Sequence, residues 1–312
     1  MTFAAIKPDR FGLIGGITRD QIKLPSGKKR EGLGGILYQA AALCGLGAEV
    51  IPIAVVGEEI WPNVLKSVRS WQGFKTEGIS LVGGPGHQVF LEYPRRGERR
   101  ERLRSAAPPL SSSRALPFLN GLDFLLVVFN SGFDLDFFTW RQVVEAAPCP
   151  CWLDIHSLVL SSNLGRRKYE AFPSWPAWVK GVDYLQANEK ELACLLNHPR
   201  CLPREAELSS FAAECFSLGV KAVFITLGSR GLYLATQREE RLLEAKKQAR
   251  VADTTGCGDC LAAAAAWKLS QAASAEEAAL FGLELAAKAT GVCGVESTYR
   301  LVFRAFNLTP SI

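Results

Sequence analysis

The strongest constraint on the fold is the alternation of short apolar runs with helical patterns along the 312-residue chain. Most of these runs have few intervening polar residues, as is typical of strands buried on both faces of a parallel sheet. The alternation predicts a layered α/β domain that binds its ligands at the carboxyl ends of the strands. The predicted strands are 11–17, 48–57, 123–130, 151–155, 182–187 and 220–228, and the predicted helices are 35–47, 189–197, 205–219, 260–271 and 275–291.

One segment, residues 83–113, departs from this alternation. It has turn residues at both ends and one short strand pattern, HQVFLEYP, and a turn around Gly97 would lead into a partner strand. We therefore predict an antiparallel flap outside the main sheet. Its basic run, RRGERRERLR at 95–104, suits either a nucleic-acid contact or a solvent-exposed flap, and we favour the exposed flap.

Composition and charge exclude several classes of protein. The chain is 48% hydrophobic and 21% charged, which is ordinary for a globular protein. Its formal net charge of +5 suits a small anionic ligand without requiring nucleic acid. No run of 18 apolar residues and no apolar leader is present, so we expect no membrane partner. Nine scattered cysteines predict reduced thiols in a cytoplasmic protein.

Several common catalytic motifs are missing from the sequence. It contains no P-loop, no G-x-G-x-x-G and no H-E-x-x-H. The three histidines, His87, His156 and His198, are interpreted as surface or locally hydrogen-bonded residues. Chemistry that depends on histidine is therefore not expected.

The octapeptide DTTGCGDC at 253–260 stands just before an alanine run, which is a strong helix former. We predict a loop that leads into a helix, with Asp259 at or near the helix N-terminus. Backbone N–H groups lack partners there and attract an anion, and Gly256 and Gly258 would let those groups converge. A carboxylate beside such a site fits phosphoryl transfer, in which Asp259 takes a proton from the attacking hydroxyl or orients it. A tight turn with Asp259 as a helix cap explains the same residues.

The octapeptide resembles the C-terminal signature D-T-x-G-A-G-D of the ribokinase-like (PfkB) carbohydrate kinases, with Cys257 where alanine is usual. Other stretches resemble further motifs of that family, in the family's order, over roughly residues 11–297. They are GGITRD (15–20) for a first strand ending in a substrate-binding Asp, GLGGILYQAAALCGLG (32–47) for the glycine-pair signature, ANEKE (187–191) for N-x-x-E, and TLGSRG (226–231) for the nucleotide-contacting T-x-G-x-x-G.

The resemblance implies a role for each matching residue. Asp259 is implied as the catalytic base, and the amides of Gly256, Cys257 and Gly258 as an anion hole. Asn188 and Glu191 are implied to face a Mg²⁺–phosphate cluster through waters, although a capped helix start with a solvent-facing Glu191 explains them as well. The implied nucleotide contacts are Asn188, Thr226, Gly228, Ser229, Gly231 and Thr255. The implied substrate contacts are Asp20, Gly34, Gly35, Asn130, Asp259 and Gln39, which stands where the family usually has Asn.

The resemblance also implies a fold and an activity. The fold is a single three-layer α/β domain, residues 1–312, with a mostly parallel central sheet and flap or lid elements around 15–33 and 83–113. The activity is that of a phosphotransferase that moves the γ-phosphoryl group of ATP to a hydroxyl of a sugar, a polyol or a nucleoside, with Mg²⁺ as cofactor. A monovalent-cation requirement and a homodimer formed through the flap remain open.

Two other functional classes compete with a kinase. Cys257-x-x-Cys260 has redox spacing at a predicted helix N-terminus, which would lower the pKa of a thiol, so a thiol redox enzyme is one alternative. A non-catalytic nucleotide-binding regulator is the other, and the presence of Asp259 and both loop glycines argues against it. Cys149-x-Cys151 is interpreted as two buried thiols rather than a metal site.

Overall fold

The structure of the protein is a computed structural model that describes residues 9–24, 26–94, 100–246, 248 and 251–307. The strands of these residues are β1 (Arg10–Ile14), β2 (Ile17–Lys23), β3 (Lys29–Gly35), β4 (Glu49–Gly57), β5 (Ile79–Val82), β6 (His87–Glu92), β7 (Arg100–Ser105), β8 (Phe124–Val128), β9 (Cys151–Asp154), β10 (Gly165–Arg166), β11 (Tyr184–Asn188), β12 (Ala222–Thr226), β13 (Leu232–Thr236) and β14 (Glu240–Leu243). The helices are α1 (Leu37–Gly45), α2 (Trp61–Val68), α3 (Ser112–Ala115), α4 (Phe137–Ala146), α5 (Trp175–Val179), α6 (Glu189–Leu195), α7 (Glu205–Ser217), α8 (Cys257–Ser270), α9 (Ala275–Ala289) and α10 (Val295–Asn307).

Nine of the described strands form the main sheet, in the order β14-β13-β12-β11-β9-β8-β1-β4-β5. From β12 to β5 all neighbours pair in parallel, and only β13 and β14 are antiparallel. The carboxyl ends of seven strands therefore meet at one edge of the sheet, where α/β proteins bind ligands. The mostly parallel α/β fold predicted from the sequence is confirmed.

Helices cover both faces of this sheet, because its central strands are apolar on both sides. In β8, Phe124 and Leu126 join a core packed against α1, α2, α8, α9 and α10. Leu125 and Val127 of the same strand join a second core packed against α3 to α7. The result is the expected three-layer arrangement. None of the described helices is both long and apolar enough to cross a membrane.

A second sheet lies outside the main one, with the strand order β10-β7-β6-β2-β3. It has a small core of its own, formed by Ile22, Val89, Leu91 and Leu103. Strands β6 and β7 form the predicted antiparallel flap, but β6 also pairs in parallel with β2. The flap is therefore one part of a mixed five-stranded sheet. The predicted turn at Gly97 lies outside the described residues.

The first predicted strand, 11–17, is wrong in its bounds. Strand β1 ends at Ile14, and the chain crosses through Gly15 and Gly16 into the second sheet, where β2 starts at Ile17. A Cβ at Gly16 would press on Asp134 and His87, so a larger residue could not make this crossing. The segment that resembles a first strand ending in Asp20 therefore belongs mostly to β2 of the second sheet.

We expect Leu103→Ala and Leu126→Ala to affect different parts of the molecule. Both side chains are fully buried, Leu103 in the second sheet and Leu126 in the main sheet. Leu126→Ala should lower the free energy of unfolding by about 2–5 kcal/mol, the usual cost of such a truncation. Leu103→Ala should speed amide exchange in β6 and β7 with little effect on the main sheet, measured by hydrogen exchange. Equal loss of protection throughout the main sheet in both variants would contradict a separate core.

Candidate active site

The loop that carries the acid and glycine signature ends at α8, whose N-cap is Gly256. Gly256 has φ 79°, in the left-handed region that favours glycine. A Cβ at this position would also overlap the ring of Tyr38. Asp259 is the third residue of α8, and no side-chain hydrogen bond caps this helix. The predicted tight turn is therefore present, but Asp259 is not its N-cap.

The backbone amides at the start of α8 differ in what they bind. The N–H groups of Gly256 and Gly258 donate to no described residue. The Cys257 N–H donates to the Thr254 carbonyl oxygen over 3.3 Å, near the upper limit for a hydrogen bond. Two of the three predicted anion-hole amides are thus available to a ligand, in the position where a helix favours negative charge.

A cleft lies between the start of α8 and the second sheet. It collects six residues predicted from the sequence, namely Asp20, Gly35, Asn130, Thr255, Gly256 and Asp259. The second sheet also contributes Thr18, Val89, Leu91 and Glu101, and the main body contributes Tyr38 and His156. Carboxylates, a helix start and several other polar groups therefore line one cleft.

Both residues of the predicted glycine pair make room for neighbouring polar groups. A Cβ at Gly34 would overlap the carboxylate of Asp20, which accepts a hydrogen bond from Thr18 Oγ1 over 2.6 Å. Gly35 has φ 65°, and a Cβ there would overlap the carbonyl oxygen of Gly16. The pair thus positions Asp20 at the cleft, although Gly34 itself is not part of the cleft wall.

Gln39 is not brought to the cleft. It is fully buried on α1, and neither atom of its carboxamide has a hydrogen-bond partner among the described residues. Gln39 is thus not among the residues that line the cleft, and its predicted contact with a substrate stays a prediction. The longer arm of Gln, compared with the family's usual Asn, lies within the helical layer.

Three carboxylates approach one another beneath the start of α8. Asp154, at the end of β9, is buried, and its pKa is raised by burial and by the nearby charges of Glu191 and Asp259. Gln186 joins this group to the loop, because its Nε2 donates to Asp154 Oδ2 over 3.0 Å and to the Gly258 carbonyl oxygen over 3.2 Å. A concentration of buried negative charge like this one favours a cation.

The N-x-x-E element forms a capping box at the start of α6. Asn188 Oδ1 accepts from the Glu191 N–H over 2.9 Å, and Glu191 Oε2 accepts from the Asn188 N–H over 2.7 Å. Glu191 is buried, so the alternative of a solvent-facing acid is wrong. Among the described residues, no three His, Cys, Asp or Glu side chains are placed to hold a metal directly. The three carboxylates instead suit a hydrated cation that shares its coordination with a phosphate ligand.

The remaining predicted nucleotide residues lie farther along the same sheet edge. Asn188 and Thr226 are opposite one another at the ends of β11 and β12. Gly228 and Ser229 follow in an exposed turn, which ends at Gly231. The structure therefore places these residues at the carboxyl edge of the main sheet, outside the cleft that contains Thr255.

Two contacts join the second sheet to the acid and glycine loop. Arg30 of β3 forms an ion pair with Asp253. The hydroxyls of Tyr93 and Thr255 lie 3.0 Å apart, and because the Thr255 hydroxyl donates to Asp253 Oδ1, the Tyr93 hydroxyl is the donor to Thr255. The second sheet is thus held directly over the start of α8.

The pKa values of Cys257 and Cys260 argue against the redox alternative. Burial, with the neighbouring Asp253 and Asp259 carboxylates, raises the pKa of Cys257 to about 12. Burial also raises the pKa of Cys260 well above its ordinary value. These directions are opposite to the lowering expected at a helix N-terminus, because burial and the nearby acids both disfavour a thiolate. Cys149 and Cys151 likewise have raised pKa values, mainly through burial.

Sequence reasoning missed several residues of the site, among them Tyr38, Glu101, Asp154 and His156. Two of them had a usable signal, because Asp154 ends a predicted buried strand and His156 follows it, and ligand-binding groups concentrate at such strand ends. Tyr38 and Glu101 had none, since only tertiary packing brings α1 and β7 to the loop.

Comparison with known proteins agrees with this geometry. Residues 157–299 match the profile described as "pfkB family carbohydrate kinase". Over 115 residues, 36% of this chain, the sequence is 37% identical to a ribokinase of Arabidopsis thaliana. That match covers only 28% of the length of the ribokinase.

Solved structures resemble the whole chain at low sequence identity. The structure of Arabidopsis thaliana ribokinase complexed with ribose and ATP has a TM-score of 0.75 and 20% identity, with 97% of this chain and 100% of that chain covered. A Burkholderia thailandensis nucleoside kinase in complex with inosine has a TM-score of 0.74 and 15% identity, with 96% and 98% covered. The sequence motifs, the profile match over just under half of the chain and the shared fold together support a ribokinase-like pfkB carbohydrate kinase.

Proposed function

We propose that the protein transfers the terminal phosphoryl group of ATP to a hydroxyl of a sugar or a sugar-like small molecule, nucleosides included. The observation that carries the proposal is that Asp20, Asn130, Asp259 and Gly256, whose amide is available, line one cleft at the start of α8. The available Gly258 amide lies two residues farther along the chain. The sequence similarity of the chain to a ribokinase supports a sugar acceptor, and its structural similarity to a nucleoside kinase supports a nucleoside acceptor. A substrate panel of D-ribose, inosine and myo-inositol, with ADP release as the readout, tests it.

The chemistry follows from where the charges develop. The acceptor hydroxyl oxygen bonds to the γ-phosphorus while the bond from that phosphorus to the β–γ bridging oxygen breaks, leaving ADP. Asp259 accepts the hydroxyl proton, which makes the oxygen a better nucleophile. The amides of Gly256 and Gly258 and the dipole of α8 stabilise the negative charge of the group in transfer.

The oxygen-bearing side chains of Asn188, Glu191 and Asp154 fit a bound Mg²⁺. Glu191 and Asn188 would hold the hydrated ion, with Asp154 as a further acid beside them, because these oxygen groups form the buried negative cluster described above. When bound, the ion neutralises charge on the polyphosphate. In this proposal Thr226, Gly228, Ser229 and Gly231, at the sheet edge beside Asn188, contact the nucleotide.

We propose that the second sheet acts as a lid over the acceptor. Val89 and Leu91 present apolar side chains to the cleft, and the Arg30 and Tyr93 contacts hold this sheet against the loop. A closed lid excludes water that would otherwise compete with the acceptor hydroxyl for the phosphoryl group.

Replacing the proposed base should remove catalysis without removing binding. We expect Asp259→Asn to lower kcat by about two to four powers of ten, because a carboxamide cannot accept the proton. ATP affinity by calorimetry and the melting temperature should change little. Asp136→Asn is the matched control, since Asp136 is a helix-capping acid of α4 with no place in the cleft. Near-full activity of Asp259→Asn on a confirmed substrate would contradict the mechanism.

Metal dependence should follow Glu191. Without Mg²⁺ or a substitute we expect no turnover, because the charge of the polyphosphate is then not neutralised. Glu191→Gln should raise the Mg²⁺ concentration needed for half-maximal rate more than it weakens acceptor binding. Glu277→Gln is the control, because Glu277 forms the same capping box at the start of α9 on an exposed surface. Identical metal titrations for the two variants would rule out the proposed role of Glu191.

Cys257→Ala should leave phosphoryl transfer almost intact. No step of the proposed reaction uses the Cys257 thiol, and alanine, a strong helix former, is compatible with the first position of α8. The measurement is kcat/KM for the acceptor under reducing conditions, beside the wild type. Loss of activity in this variant would show that the thiol itself takes part.

A further inference from the structure

His156 stands in an unusual position beside the cleft. It lies two residues after Asp154, at the carboxyl end of β9, and shares the cleft wall with Asp20, Asn130 and Asp259. Its φ of 37° is in the left-handed region, which residues other than glycine seldom adopt. Such backbone strain persists only where surrounding structure enforces it, and it concentrates at functional sites.

A chain of hydrogen bonds fixes which ring nitrogen carries the proton. The Ser157 hydroxyl lies 2.9 Å from the Asn130 carbonyl oxygen, and this hydroxyl must be the donor because a carbonyl oxygen only accepts. His156 Nδ1 lies 2.9 Å from the same hydroxyl oxygen. Since the single hydroxyl proton is already used, Nδ1 must donate to Ser157 Oγ.

The second ring nitrogen is therefore an acceptor in the neutral imidazole. No described residue forms a hydrogen bond or an ion pair with His156 Nε2. Ser157 is itself buried, and its N–H donates to the Phe129 carbonyl oxygen over 2.9 Å, so the ring is held by a fixed neighbour. The imidazole is thus anchored on one side and keeps an unused acceptor.

The other groups of the cleft indicate what this acceptor binds. Asp20 and Glu101 add carboxylate oxygens to the wall, and the described part of the wall contains neither Lys nor Arg. A wall rich in acceptors and poor in cations suits a neutral ligand with several hydroxyl donors and disfavours an anionic one.

We propose that His156 is a specificity-determining residue, whose Nε2 accepts a hydrogen bond from an acceptor hydroxyl other than the one that is phosphorylated. The inference rests on the proposed kinase function and narrows its substrates to neutral polyhydroxy compounds. The interaction is made equally before and during phosphoryl transfer, so it acts on binding rather than on the chemical step.

The test compares His156→Phe with the wild type on paired substrates, D-ribose with 2-deoxy-D-ribose and inosine with 2′- and 3′-deoxyinosine. His156→Phe should raise the KM of the hydroxylated parent by about tenfold, the usual effect of one lost hydrogen bond, with a smaller change in kcat. The KM of the analogue that lacks the partner hydroxyl, and the KM of ATP, should not change. His198→Phe is the control, because His198 is bonded locally to Cys201 and does not line the cleft.

A second variant, His156→Asn, separates loss of the hydrogen bond from misfolding of the backbone. Asn tolerates a positive φ better than Phe, so His156→Asn keeps the backbone while removing Nε2, and it should show the same loss of discrimination. Unchanged KM values and unchanged deoxy-analogue discrimination in both variants would overturn the proposal. Calorimetry could also show that the wild type binds these compounds and that both variants bind them more weakly. If the wild type then transferred no phosphate, the proposed function would be contradicted and the role of His156 in binding would stand. A wild type that binds none of them would contradict both.

Discussion

The packing of Tyr38 against Gly256 determines where the rest of the site lies. The left-handed turn at Gly256 starts α8, and no side chain larger than hydrogen fits beneath the Tyr38 ring. Tyr38 belongs to α1, which follows directly on the Gly34–Gly35 pair that makes room for Asp20. A single close contact therefore sets the acceptor side of the cleft and the helix start that faces the phosphoryl group in one fixed relation.

Electrostatics divides the site into two regions with different tasks. Beneath α8, Asp154, Glu191 and Asp259 concentrate negative charge, which a cation bound with the polyphosphate would offset. The start of the helix presents free amides and a favourable dipole to the phosphoryl group itself. The same acidic surroundings, together with burial, raise the pKa of Cys257 and disfavour the thiolate that thiol chemistry needs. One arrangement of charges thus favours phosphoryl transfer and disfavours thiol chemistry.

The sequence predicted the parts of the protein that local patterns determine. Buried strands such as β8 and β12 were found because parallel strands are apolar on both faces, and the loop before α8 was found because its glycines and acids break every regular pattern. Helix α10 was missed although its buried residues Val295, Tyr299 and Val302 have helical spacing. The crossing at Gly15 and Gly16 was read as one strand, since periodicity does not show that a chain changes sheets. Contacts between distant segments, such as Gln186 with Gly258, had no local signal at all.

The account depends on the phosphoryl group lying at the start of α8, with an acceptor hydroxyl beside Asp259. The most direct measurement is a crystal structure of the protein with a non-hydrolysable ATP analogue, Mg²⁺ and a confirmed acceptor. The account predicts the terminal phosphate within hydrogen-bonding distance of the Gly256 and Gly258 amides, and one acceptor hydroxyl between that phosphate and the Asp259 carboxylate. A terminal phosphate bound away from these amides, with Asp259 directed away from the acceptor, would contradict it.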